Sequence, residues 1–271
     1  MRYKKYLLHQ LKREKSKFFT KRLKWYKELK QFKNDTRYDN YLGNVTQLKH
    51  KHYGERCFVI GTGPSLNKTN LDLLEDEYVI GMNTLFNAYK KSKFRCDYYC
   101  VSDKANAWMH YYKDILSLDT TLFIGGWAGQ EYLDNIEMYK KFEKCDSIPL
   151  RQRRSAKKGW KPDLLAGTPA CHSTVSAMCL PVAYHLGFSE VYLLGIDFDY
   201  RGQHHFDGVV YGPTRGKKVN KTERCPELWG EVFKECEVIH DVFRKDERSI
   251  INCTVGGRLD LFPRIKLEDL F

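Results

Sequence analysis

No stretch of this 271-residue chain approaches the roughly 18 consecutive apolar residues of a membrane span. Near the start, Leu7-Leu8 is too short for the apolar core of a secretory signal. These absences set the expectation of a cytoplasmic protein. Cys-x-x-Cys pairs are missing as well. The nine cysteines, an odd number, are scattered, and no Cys/His pair at zinc-finger spacing follows Cys96 and Cys100. Reduced core thiols are expected, rather than a disulfide framework or a zinc site. Excess charge is scarce outside one segment. The chain carries a net +12, but residues 1–33 hold thirteen Lys/Arg against Glu14 and Glu28, which leaves the remainder close to neutral. A basic character confined to one end argues against a nucleic-acid-binding body.

What is present begins with a core. Hydrophobic residues make up 42% and aromatics 14%, enough for one large domain or two small ones. In residues 1–33, Leu8, Leu11, Phe18, Phe19, Leu23, Tyr26, Leu29 and Phe32 recur at roughly helical spacing, with Lys and Arg on the other faces. Two destinations stay open for such a helix: packing on the domain or another subunit, or lying on an anionic membrane surface at the inner face. Residues 34–54 read as a linker, which divides the chain into 1–54 and 55–271.

From Arg56 the pattern is α/β. Strands are expected at 57–60, 78–82, 97–102, 121–124, 191–196 and 249–253, and helices at about 84–92, 104–117, 129–144, 170–187 and 226–245. Near-continuous apolar strands alternating with helices predict a Rossmann-like, doubly wound, mostly parallel sheet. Two breaker-rich segments, 151–167 and 199–225, read as long functional loops.

In such sheets ligands sit at the carboxyl ends of the strands, so those ends are where site residues are sought. The first strand ends in Gly61-Thr62-Gly63-Pro64-Ser65. Glycines there allow a sharp turn and close approach of a ligand, Pro64 suits a first helical turn, and Ser65 can cap or bind phosphate. The turn matches neither G-x-G-x-x-G nor the P-loop pattern. The second strand ends at Asn83, whose amide can both donate and accept. The third ends at Ser102-Asp103. The late strand ends at Asp197, which could hold a hydroxyl, orient a histidine or cap a helix. Asp199-Tyr200 and His204-His205 follow it. The last gives Asn252-Cys253-Thr254 and Gly256-Gly257. A histidine in a polar loop can take a proton from an attacking hydroxyl. Ser173 and Thr174, before the 170–187 helix, could meet an anion. Arg151, Arg153, Arg154, Arg201, Arg215, Lys217 and Lys218 could balance phosphate or carboxylate charge.

The segments "FVIGTGPSLNKTNLDLLEDEYVIGMNTLF", "HLGFSEVYLLGIDF" and "IINCTVGGRLDLFPR" resemble a family that groups the sialyltransferases of bacterial surface glycans, flagellin-modifying motility accessory factors and the archaeal 6-hydroxymethyl-dihydropterin pyrophosphokinase. The resemblance covers about residues 55–271. It implies that the Gly61–Ser65 turn, Asn83 and Ser102 seat a donor nucleotide, with Thr62 standing where the sialyltransferases carry asparagine. Ser173-Thr174 loosely echoes their T-S-G element. Where two donor-phosphate tyrosines should follow the G-I-D motif, this chain has Asp199-Tyr200 and His204. The histidine those enzymes use as base, about thirty residues past that motif, has no counterpart before His240, so His204 or His205 takes the role or the chemistry differs.

The resemblance thus implies a glycosyltransferase moving a nonulosonic or related acid sugar from a CMP-activated donor to a hydroxyl of a glycan or lipid-linked glycan. No cofactor is required, and Mg2+ is admitted as an optional ion. The alternatives are an Mg2+-dependent pyrophosphokinase, with Asp103, Asp197 and Asp199 around the ion, and a noncatalytic nucleotide-binding protein.

Overall fold

A computed structural model of the chain describes residues 43–102, 107, 109–126, 148–153, 162, 164, 170–171, 174–199, 205–206 and 221–271. The expected helices at 1–33 and 129–144 lie outside these residues.

Eight strands form one sheet: β1 Arg56–Ile60, β2 Val79–Met82, β3 Tyr98–Val101, β4 Thr121–Gly126, β5 Ile148–Arg153, β6 Ala170–Cys171, β7 Glu190–Leu194 and β8 Ser249–Asn252. Their order is β6-β5-β4-β3-β2-β1-β7-β8, and every pairing is parallel. The described strands begin inside the sheet with β1, build outward to β6, and return to β1's other edge with β7. The order therefore reverses between β1 and β7, the switch point at which doubly wound sheets open a ligand crevice. β1 is paired on both sides, Phe58 lying opposite Val79 of β2 and Tyr192 of β7.

The pleat sorts alternate residues into two cores. Cys57, Val59, Ile80, Met82, Tyr98 and Cys100 face helices α2 (Val175–Leu186) and α3 (Lys221–Lys245). Phe58, Ile60, Val79, Tyr99, Val101 and Leu194 face the other layer, built from 3-10 turns and α1 (Met109–Leu116). α2 is buried on nearly every side, which explains why its sequence carries no amphipathic stripe. Thr174 caps its start by accepting the Ala177 N–H at 3.3 Å. Gly187, at φ 100°, ends it in the left-handed conformation that glycine adopts without strain.

Six strands lie where expected, within one or two residues. β5 and β6 were not anticipated. β5, "IPLRQR", overlaps the basic segment expected as a loop, and Ala170–Cys171 form a strand where a helix was expected to begin. The 84–92 stretch holds a 3-10 helix at Leu85–Lys90. Six described cysteines (57, 96, 100, 179, 236 and 253) are free and buried, as expected.

Residues 43–54, within the expected linker, pack on the body. Val45 is fully buried in the α2-side core, and its carbonyl lies 2.8 Å from His185 Nε2. The His50 and His52 N–H groups donate to the His185 and Leu186 carbonyls at the end of α2. The His52 ring lies between the Glu55 carboxylate at 2.6 Å and the Tyr98 hydroxyl at 2.7 Å, and stacks on Phe188.

Candidate active site at the sheet's switch point

The carboxyl rim gathers Ser102 after β3, Asn83 after β2, Gly61–Ser65 after β1, Asp197 after β7 and Thr254 after β8, in the spatial order of the strands. Every described strand end in the expected site faces this edge.

The Gly61–Ser65 turn is committed to β7. The Gly61 N–H donates to the Leu194 carbonyl at 2.7 Å and the Gly63 N–H to the Gly195 carbonyl at 2.8 Å. A Cβ at Gly61 would overlap the Gly195 carbonyl, and one at Gly63 would overlap the Asp197 carboxylate. Neither glycine has a positive φ. The neighbouring strand end leaves no room for a side chain at either position, which accounts for glycine there.

Ser65 is likewise engaged. Its hydroxyl donates to Asp197 Oδ2 at 2.8 Å and its N–H to Oδ1 at 3.2 Å. Asp197 thereby caps the 3-10 helix Pro64–Lys68, in which Pro64 takes the first turn as expected. Half-burial pushes the Asp197 pKa up, the two Ser65 bonds pull it down, nearby Asp199 raises it, and the balance lies above the ordinary aspartate value.

Thr62 faces away from this joint. Its Oγ1 lies 3.0 Å from His205 Nδ1, and its carbonyl accepts the Phe206 N–H at 3.0 Å. The buried Phe206 ring anchors the segment in the core. His205 and Phe206 are therefore held at the switch point by one bond each to a threonine more than 140 positions away. The imidazole is bonded to Thr62, and the Asp197 carboxylate to Ser65.

Asn83 is 8% exposed and sits at φ 47°, a left-handed position that asparagine tolerates. Its Oδ1 accepts the Ser102 N–H at 3.3 Å and its carbonyl accepts the Tyr99 hydroxyl at 3.0 Å. The two expected nucleotide-binding residues are thus bonded to each other. Thr174 acts as a helix cap. His204, Asp103, Ser173 and Tyr200 lie outside the described residues, as do Arg154, Arg201, Arg215, Lys217 and Lys218; Arg151 and Arg153 belong to β5.

Behind β8 lies a loop whose role strand-end reading alone did not assign. Asn252 is buried, donates to the Leu259 carbonyl at 2.8 Å and accepts the Thr254 N–H at 2.9 Å. The Thr254 hydroxyl accepts the Ile196 N–H at 3.2 Å, and the Arg258 N–H donates to the Asp197 carbonyl at 2.8 Å. Among the described residues, no group of three His, Cys, Asp or Glu side chains is placed to hold a metal ion.

A parallel sheet with polar strand ends converging at its switch point is the architecture of nucleotide-using α/β proteins. Residues 26–203, about two thirds of the chain, match the family described as "6-hydroxymethylpterin diphosphokinase MptE-like", and the chain belongs to that family. Among solved structures it is similar to a MAf glycosyltransferase from Magnetospirillum magneticum AMB-1, with a TM-score of 0.52 and 14% identity. The match covers 86% of this chain and 39% of that one, and at this identity it is a likeness of fold. No curated protein matches the sequence.

Proposed function

We propose that the protein is a glycosyltransferase of the sialyltransferase-like class, moving a nonulosonic or related acid sugar from a CMP-activated donor to a glycan hydroxyl. The observation that carries this reading is the Thr62–His205 pair at the switch point. With Nδ1 protonated and donating to Thr62 Oγ1, Nε2 holds the lone pair that removes the acceptor's proton. The acceptor oxygen then bonds to the anomeric carbon. The bond from that carbon to the phosphate oxygen breaks, and CMP departs with the electron pair. Asn83 and Ser102, joined at 3.3 Å, form the wall for the nucleotide.

Family membership favours a second reading, a pyrophosphokinase in which a substrate hydroxyl attacks ATP. The same imidazole would serve it, because both nucleophiles are hydroxyls. It calls for Mg2+, which would neutralise phosphate charge. Asp199 and Asp103 are its candidate ligands, beside an Asp197 carboxylate already bonded to Ser65.

Thermal stabilisation by CMP, CDP, UDP, ADP and ATP, with and without Mg2+, separates the two. Stabilisation by CMP without metal is expected. A response to ATP with Mg2+ alone would sink the first reading in favour of the second.

The basic segment 1–33 is proposed to bring the enzyme to an anionic membrane surface, where lipid-linked acceptors reside. The full chain should then bind phosphatidylserine vesicles and not phosphatidylcholine vesicles. Equal binding to both would refute this. Among the described residues no helix is long and apolar enough to cross a membrane.

A further inference from the structure

Three of the four N–H groups of the Gly61–Ser65 turn, those of Gly61, Gly63 and Ser65, are already bonded to β7 and Asp197. The loop after β8 is built the opposite way. Arg264 lies against it and donates to the Thr254 carbonyl at 2.5 Å, to the Leu259 carbonyl at 3.2 Å and to the Gly256 carbonyl. In a trans peptide the carbonyl and the following N–H point in opposite directions, and no peptide bond among the described residues is cis. Turning the Thr254 and Gly256 carbonyls onto Arg264 therefore turns the N–H groups of Val255 and Gly257 away from it. Neither N–H meets an acceptor among the described residues. Gly256 at φ 69° and Gly257 at φ 76° supply the left-handed backbone that this display needs.

The display is held rigidly. Asn252 bonds both ends of the loop, and the Thr254 hydroxyl ties it to β7. A Cβ at Gly257 would press on the Asp197 backbone, so the loop sits directly against the switch-point strand end. Val255, Gly256, Gly257 and Arg258 are all exposed, and no acceptor meets the Arg258 guanidinium among the described residues. Outward amides at alternate positions of a turn, beside an arginine, make an anion-binding concavity.

We propose that Val255, Gly257 and Arg258 form a phosphate-binding subsite: the two backbone N–H groups and the guanidinium bind the oxygens of a phosphate group of the donor nucleotide. The identity of the carrier rests on the nucleotide-donor reading; the subsite itself does not.

The test is an amide-resolved NMR titration of the full-length protein with inorganic pyrophosphate, repeated on Arg258→Gln. The Val255 and Gly257 amide signals should shift in the wild type, and the variant should bind about tenfold more weakly or worse with an unchanged melting temperature. Free N-acetylneuraminate, a carboxylate without phosphate, should leave those amides in place. Unmoved amides, an unweakened variant, or a response to the carboxylate instead would overturn the subsite. CMP and cytidine complete the design. If pyrophosphate binds as described but CMP does not, the subsite stands and the donor reading falls. If CMP binds while the two amides stay unmoved by pyrophosphate, the donor reading stands and the subsite falls.

Discussion

Thr62 Oγ1 and His205 Nδ1 lie 3.0 Å apart, and these two residues are also the chain's two clearest departures from the sialyltransferase pattern. Thr62 stands where asparagine is usual, and His205 belongs to a loop nearer the G-I-D motif than the usual histidine. The contact joins the two departures into one feature. Thr62→Val keeps the shape of the side chain and removes the hydroxyl, so the imidazole loses its fixed orientation. Turnover should fall about tenfold or more, part of the roughly 10²–10⁴-fold that a positioned base supplies. CMP affinity should not change, and Thr62→Ser should recover most of the rate. An equal loss in both variants, measured by steady-state kinetics, would remove Thr62 from this role.

Gly63→Ala should be among the more damaging single-methyl additions in the protein. Its Cβ would overlap the Asp197 carboxylate and the Gly195 carbonyl. Overpacking of this kind costs about 1–3 kcal/mol, readable as a lowered urea midpoint with unchanged slope. If glycine were there for backbone freedom alone, at a negative φ, the alanine would be nearly neutral.

Asp197 has its pKa raised above 3.8 by half-burial, despite the bonds from Ser65. A native carboxyl that holds its proton more tightly than the unfolded one contributes stability below the unfolded pKa. That contribution is lost as pH rises through the higher native value. Asp197→Asn should flatten this part of the profile of unfolding free energy against pH between the acid range and neutrality. A variant profile parallel to the wild type would show that Asp197 does not titrate there.

Val45→Ala tests the docking of residues 43–54. The side chain is fully buried in the core beside α2, and losing its two methyl groups should cost about 1.5–2 kcal/mol at roughly 0.8 kcal/mol per buried carbon. A segment that merely trails over the surface would tolerate the change without a shift in melting temperature.

Six of the eight strands were legible because strands buried on both faces read as apolar runs, as in Phe58-Val59-Ile60 and Val191–Leu194. β5 was hidden by its composition: Arg151, Gln152 and Arg153 make an outer strand look like a basic loop. Ala170–Cys171 is too short to carry any period. Asn83 and Ser102 were found because position at a strand end is itself a sequence property. The cause of Gly61 and Gly63 was not legible, since it depends on which strand returns beside β1. The Thr62–His205 contact spans 143 positions and has no local signal. The outward amides of Val255 and Gly257 follow from where Arg264 turns its guanidinium, which no spacing rule encodes. Phe206 offered a faint clue as an apolar ring within a polar loop.

The placement of β1 also bears on biosynthesis. β1, the earliest of the described strands in sequence, becomes an interior strand, and its β7 neighbour is made more than 120 residues later. Throughout that interval β1 carries an unpaired edge with apolar side chains on both faces, an arrangement prone to pairing with other chains. Ribosome-bound intermediates that stop short of Glu190 should therefore be the forms of this protein that most need a chaperone.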